Sequence, residues 1–211
     1  MEKKLLTERQ QKTAIYRIIR GVQQQMQLVR WPPEKYGRLY GKRSVEQIIK
    51  EKNTNYMNPC LDLTMVTIHL LREHGFNPTC IAQELIGEHT GKPTLHFAIE
   101  VPVAEKTYTI DFPRSKTANF YEGAFDHMKS FPHLMPIEVH RLPTDHFTIK
   151  TKPFHFFGVA RLRRIGARFK RVKYAHIRKA FTAMSKADHP ELHATVRARP
   201  TRIVRAKKSR H

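Results

Sequence analysis

Cys60, His96 and Asp111 are the residues of this 211-residue chain whose types and order suit nucleophilic attack on a carbonyl. A thiol nucleophile needs a base to take its proton and a third group that holds the base in one tautomer. Cys60 lies in Asn58-Pro59-Cys60-Leu61-Asp62-Leu63-Thr64, which reads as the opening of a helix. Asn58 suits the N-cap, Pro59 suits the first helical position, and Cys60 falls in the first turn. The positive end of a helix dipole is one recognised way to favour a thiolate. A buried structural cysteine would account for Cys60 taken alone, because free cysteine is often core. An ordered histidine and aspartate downstream tip the balance toward a site.

The elements that must position these residues follow from periodicity and turn chemistry. Leu61, Met65, Ile68 and Leu71 continue the Cys60 helix, which ends at His74-Gly75 with Gly75 in the left-handed C′ position and Pro78 beyond. Three runs rich in β-branched and aromatic residues, 79–86, 94–101 and 106–112, then read as strands, the last two joined as a hairpin by the turn at 102–105. In an antiparallel hairpin the start of one strand lies beside the end of the next, so His96 and Asp111 become cross-strand neighbours. Weaker strand candidates are 136–142 and 146–150, while 114–134 shows no clear pattern.

Upstream, Ile15, Ile18, Ile19, Val22, Met26 and Val29 recur at helical spacing, which predicts one amphipathic helix over 3–29, stopped by Trp31-Pro32-Pro33. Ser44-Val45-Glu46-Gln47 reads as a capping box opening a short helix to Lys52. Residues 53–56 read as a loop that delivers the chain to Cys60.

The order Cys-helix, His-strand, Asp-strand resembles the transglutaminase-like superfamily of papain-like cysteine enzymes. The resemblance rests on Pro59-Cys60-Leu61-Asp62 with Leu70-Leu71-Arg72-Glu73-His74-Gly75-Phe76, on Leu95-His96-Phe97-Ala98-Ile99-Glu100-Val101, and on Tyr108-Thr109-Ile110-Asp111. It covers residues 55–115. It implies an α+β fold with N-terminal helices packed on an antiparallel sheet, with Cys60 as nucleophile, His96 as general base and Asp111 as orienting acid. The activity implied is hydrolysis or transfer of an acyl group from a protein or peptide amide through a thioester. Pro59 removes one backbone donor beside the nucleophile, so the backbone N–H of Cys60 would need help from a side chain such as Asn55, Tyr56 or Asn58 to hold an oxyanion.

Charge divides the chain unevenly. Residues 150–211 hold 19 Lys or Arg against two acids, net +17, while the first 149 hold 20 basic and 16 acidic residues, net +4. This predicts a globular domain over 1–150 and, over 151–211, a basic extension. Leu162, Ile165, Phe169, Val172 and Ile177 give the extension a helical stripe, with Arg161, Arg163, Arg164, Arg168, Lys170, Arg171 and Lys173 as its anion-binding residues. Residues 158–211 would meet a nucleic acid or other polyanion through phosphate contacts. A second reading makes the core an inactive scaffold and this basic region the functional part.

No cofactor or metal is expected. His69 and His74 are five residues apart and sit on different helix faces, and no paired-cysteine or metalloprotease spacing occurs. Cys60 and Cys80 are read as free thiols of a cytoplasmic protein without a transmembrane segment. Oligomeric state is left open.

Overall fold

In the computed structural model, the residues described are 6–87, 93–113, 116–131 and 134–158. The chain is α+β, with a five-stranded antiparallel sheet carrying its two longest helices on one face. Helix α1 spans Glu8–Gln25 and is opened by a Thr7–Gln10 capping box. It is shorter than its apolar periodicity predicts. Met26 turns extended, and strand β1, Gln27–Val29, pairs in parallel with β2, Asn53–Asn55. That pairing takes the backbone groups a continued helix would need, although Val29 keeps helical spacing by coincidence. The expected loop at 53–56 is therefore mostly strand.

Between these strands lie α2, Pro33–Leu39, and α3, Val45–Glu51. The first was not anticipated, because Pro33 reads as a helix stop yet here occupies the opening position that tolerates a missing N–H. The second carries the Ser44–Gln47 capping box as its sequence indicates. Helix α4, Cys60–Glu73, follows and closes on Gly75 at φ +81°, with Gly75 N–H donating to the Arg72 carbonyl and Phe76 N–H to that of Leu71. This is the double closure that favours glycine at C′.

The sheet comprises β3 (Thr79–Gly87), β4 (Pro93–Val103), β5 (Lys106–Asp111), β6 (Asn119–Glu122) and β7 (Leu134–Pro143), in the order β6-β5-β4-β3-β7. Residues 146–150 form turns rather than a strand. A short helix α5, His127–Ser130, precedes β7, and α6, Pro153–Phe157, follows it.

Strand alternation sorts the sheet's two faces. Phe97, Ile99 and Val101 of β4, Ile110 of β5, and Cys80 and Ala82 of β3 join the core built from Ile15, Ile19 and Val22 of α1 and Leu61, Met65 and Ile68 of α4. His96, Ala98, Thr109 and Asp111 alternate with these residues. Phe157 also enters the core and packs on Phe97 with ring centroids 4.6 Å apart, so the packed domain extends past residue 150. The stripe of apolar residues from 162 to 177 lies outside the described residues.

Candidate active site

The loop that brings the chain to Cys60 is anchored at both ends. Tyr56 N–H donates to the Val29 carbonyl, and the Asn55 side chain accepts from Met57 N–H at 2.9 Å, closing a tight turn. Helix α4 then begins one residue later than the sequence suggests. Pro59 is its N-cap, and Leu63 N–H makes the first intrahelical bond, to the Pro59 carbonyl. Asn58 does not cap the helix. Its amide donates instead to the Tyr36 hydroxyl at 2.8 Å, a contact the local motif could not reveal because Tyr36 is 22 residues away. Cys60 is thereby the first helical residue, and the N–H groups of Cys60, Leu61 and Asp62 have no acceptor within the helix.

The first turn of α4 is fixed from two sides. Asp62 is buried and takes Arg43 Nη2 at 2.5 Å and Thr54 Oγ1 at 2.8 Å. Arg43 also donates to Glu51 and Asn53 and lies 4.6 Å from the centre of the Trp31 ring. Thr64, one turn after Cys60, donates to the Phe97 carbonyl at 3.2 Å, tying the helix to β4 directly beside His96.

His96 and Asp111 meet as the hairpin predicts. The β4–β5 register pairs Ala98 with Asp111, and His96, two residues earlier on the same face, places Nε2 2.5 Å from Asp111 Oδ1. Both side chains are buried, and the Cys60 side chain is near enough to help raise the His96 pKa. With Nε2 engaged by Asp111, Nδ1 is the ring nitrogen left to face the sulfur. Burial by itself would lower the His96 pKa, but the interactions with Asp111 and Cys60 outweigh it and raise the pKa to about 9. Cys80 is in core packing, its thiol pushed up by burial.

The segment 123–131 covers this pair. Its backbone is held by Thr109 Oγ1 donating to the Gly123 carbonyl and by Phe125 N–H donating to Glu100. Ser130 Oγ donates to Asp111 Oδ2, and the Phe131 ring meets the His96 ring edge-on at 4.4 Å. Sequence reading missed Ser130, Phe131, Tyr36 and Arg43, none of which belongs to a recognisable local pattern.

Cys60 and His96 form part of the wall of an open cleft of about 430 Å³, with Tyr56, Met57, Asn58, Leu85, Leu95, Pro113, Phe131 and Leu134. Of the three side chains expected near an oxyanion, Asn58 and Tyr56 line the cleft, whereas Asn55 is buried and engaged in its turn. Arg161, Arg163, Arg164, Arg168, Lys170, Arg171 and Lys173 lie outside the described residues.

Away from this site, Glu84, Glu138 and His140 each place one ligand-type atom within 4.8 Å of the others. His140 Nε2 lies 2.7 Å from Glu84 and Nδ1 3.5 Å from Glu138, a polar cluster across β3 and β7. Sequence spacing did not indicate it, since two strands far apart in the chain supply its members. Among the described residues, no helix is long and apolar enough to cross a membrane.

No protein-family model matches the chain, and the comparisons with curated proteins and solved structures returned no match.

Proposed function

We propose that this protein is a cysteine-dependent amide hydrolase or acyltransferase of transglutaminase-like type, built on a papain-like core. One observation carries the reading. His96, buried and bonded to Asp111, shares the wall of an open cleft with Cys60. With the thiol proton held on His96 Nδ1, Sγ bonds to the carbonyl carbon, and the carbonyl π electrons move to oxygen. Collapse of that adduct breaks the C–N bond, and the amine leaves with the proton from His96. Water, or an acceptor amine, then attacks the thioester while His96 removes its proton, and breaking the C–S bond returns Cys60. Throughout, Asp111 holds the ring and stabilises its positive charge.

The apolar walls contributed by Leu85, Leu95, Phe131 and Leu134 suit an acyl donor with an apolar side chain. The test is alkylation by iodoacetamide, followed at Cys60 by mass spectrometry across neutral pH. Wild type should react much faster than His96→Ala, and equal rates would remove the basis for an activated thiol.

The charge distribution supports a second activity that the first does not exclude. A net +17 over residues 150–211 suits contact with nucleic acid or another polyanion, which would deliver the enzyme to its substrate or, in a scaffold without activity, constitute the whole function. A chain ending after Gly158 keeps α6 in the core and should lose both the affinity and its steep salt dependence. Retention of both would rule out this role.

A further inference from the structure

We propose that Asn58 is the side-chain oxyanion donor of this site, acting with the backbone N–H of Cys60, and that Tyr36 and Tyr40 hold its amide in place. The inference rests on the reading of Cys60 as a nucleophile and supplies the donor that the proline at position 59 leaves wanting. An oxyanion donor must be near the sulfur, face the cleft and be fixed before the charge develops. Three side chains on the approach to α4 could be considered, and only one meets all three conditions.

Asn55 is 2% exposed, spends its carboxamide oxygen on Met57 N–H, and is not part of the cleft wall. Tyr56 lines the cleft but is 41% exposed, a phenol at the rim. Asn58 lines the same cleft as Cys60 and His96, two residues from the nucleophile, and one N–H of its amide is committed to Tyr36 Oη at 2.8 Å. An amide nitrogen carries two hydrogens, so a second donor remains on the atom that Tyr36 has fixed.

Tyr36 is itself immobilised. Its ring stacks on Tyr40 with centroids 4.7 Å apart. Tyr40 is braced in turn by Phe154, edge-on at 5.6 Å, and Phe154 N–H donates to the Gly41 carbonyl. Burial raises the pKa of both tyrosines, with the nearby Cys60 sulfur adding to it, so both remain neutral hydroxyls in the neutral range. The amide nitrogen of Asn58, not its oxygen, faces the Tyr36 hydroxyl. The path from Gly41 through Phe154, Tyr40 and Tyr36 to Asn58 is the support a preorganised donor requires.

Two probes separate this donor from general reactivity of the thiol. Iodoacetamide alkylates Cys60 by displacing iodide and develops no oxyanion. A peptide aldehyde with a leucine side chain adds Sγ to its carbonyl carbon, the π electrons pass to oxygen, and that oxygen takes the proton His96 removed from the thiol. Aldehyde affinity is read as the concentration that halves the iodoacetamide rate. Asn58→Ala should leave the iodoacetamide rate close to wild type and weaken the aldehyde by roughly tenfold or more, within the range of losing one oxyanion donor. Tyr36→Phe, which frees the amide without changing the ring, should weaken it less.

Asn58→Asp covers the case in which truncation to alanine disturbs the entry to α4 and slows both probes. It keeps the size of the side chain and accepts from Tyr36, but removes the donor, so a selective loss of aldehyde binding is again expected. Aldehyde binding unchanged in Asn58→Asp, or reduced no more than alkylation, overturns the assignment. Alkylation of the wild type that ignores His96→Ala would instead sink the underlying reading, a different result.

Discussion

The side chains of His96 and Asp111 meet across adjacent strands, Nε2 to Oδ1 at 2.5 Å, and both are buried. A histidine so placed should be a cation in the folded protein, with its pKa raised from 6.5 to about 9. Because the folded value lies above the unfolded one, the stabilisation is fully present below pH 6.5 and is lost as pH rises through 9. The shift corresponds to roughly 3 kcal/mol. Urea unfolding between pH 6 and 9.5 should therefore show stability falling with pH in the wild type and a flatter profile in His96→Gln. Parallel profiles would contradict a charged His96.

Ser130 engages the second oxygen of the same carboxylate. Removing that hydroxyl leaves Asp111 Oδ2 buried without this donor, at a cost of about 1–3 kcal/mol. It also releases the carboxylate to rotate away from His96. Ser130→Ala should lower both stability and the rate of Cys60 alkylation, whereas Ser130→Thr, which keeps a hydroxyl, should recover most of the rate. A lowered midpoint with an unchanged rate would make Ser130 a packing residue and nothing more.

Local sequence carried the Cys60 helix and the hairpin well, because each rests on short-range signals. The Ser44–Gln47 capping box, the closure at Gly75 and the turn before Lys106 all form where their residue types indicate. The His96–Asp111 contact was legible for the same reason. A hairpin fixes the relation between His96 and Asp111 once its turn is known. Asn58 looked like a cap because Asn-Pro commonly opens a helix, yet its side chain was claimed by Tyr36, from an element whose first residue reads as a breaker. Ser130 and Arg43 were invisible because their partners lie 19 residues away in each case, and no periodicity encodes a side-chain contact across elements.

Arg43 and Asp62 form a buried ion pair at the first turn of α4, at 3% and 2% side-chain exposure. Burial raises the Asp62 pKa, and the Arg43 charge works against that rise. Replacing Arg43 by Met removes the opposing charge and leaves the carboxylate with the Thr54 hydroxyl, which should cost about 3–5 kcal/mol at neutral pH. The loss should shrink as the solution is acidified, since a protonated Asp62 no longer needs the guanidinium. The double variant Arg43→Met with Asp62→Leu should regain most of the lost stability, because apolar replacement of both partners avoids the uncompensated charge. Both effects are measurable by urea unfolding at pH 4.5 and 7. Hydrogen exchange in the first turn of α4 gives a local check, with faster exchange expected in Arg43→Met. A cost below about 1 kcal/mol at pH 7 would show that the pair is not what holds the start of α4 in place.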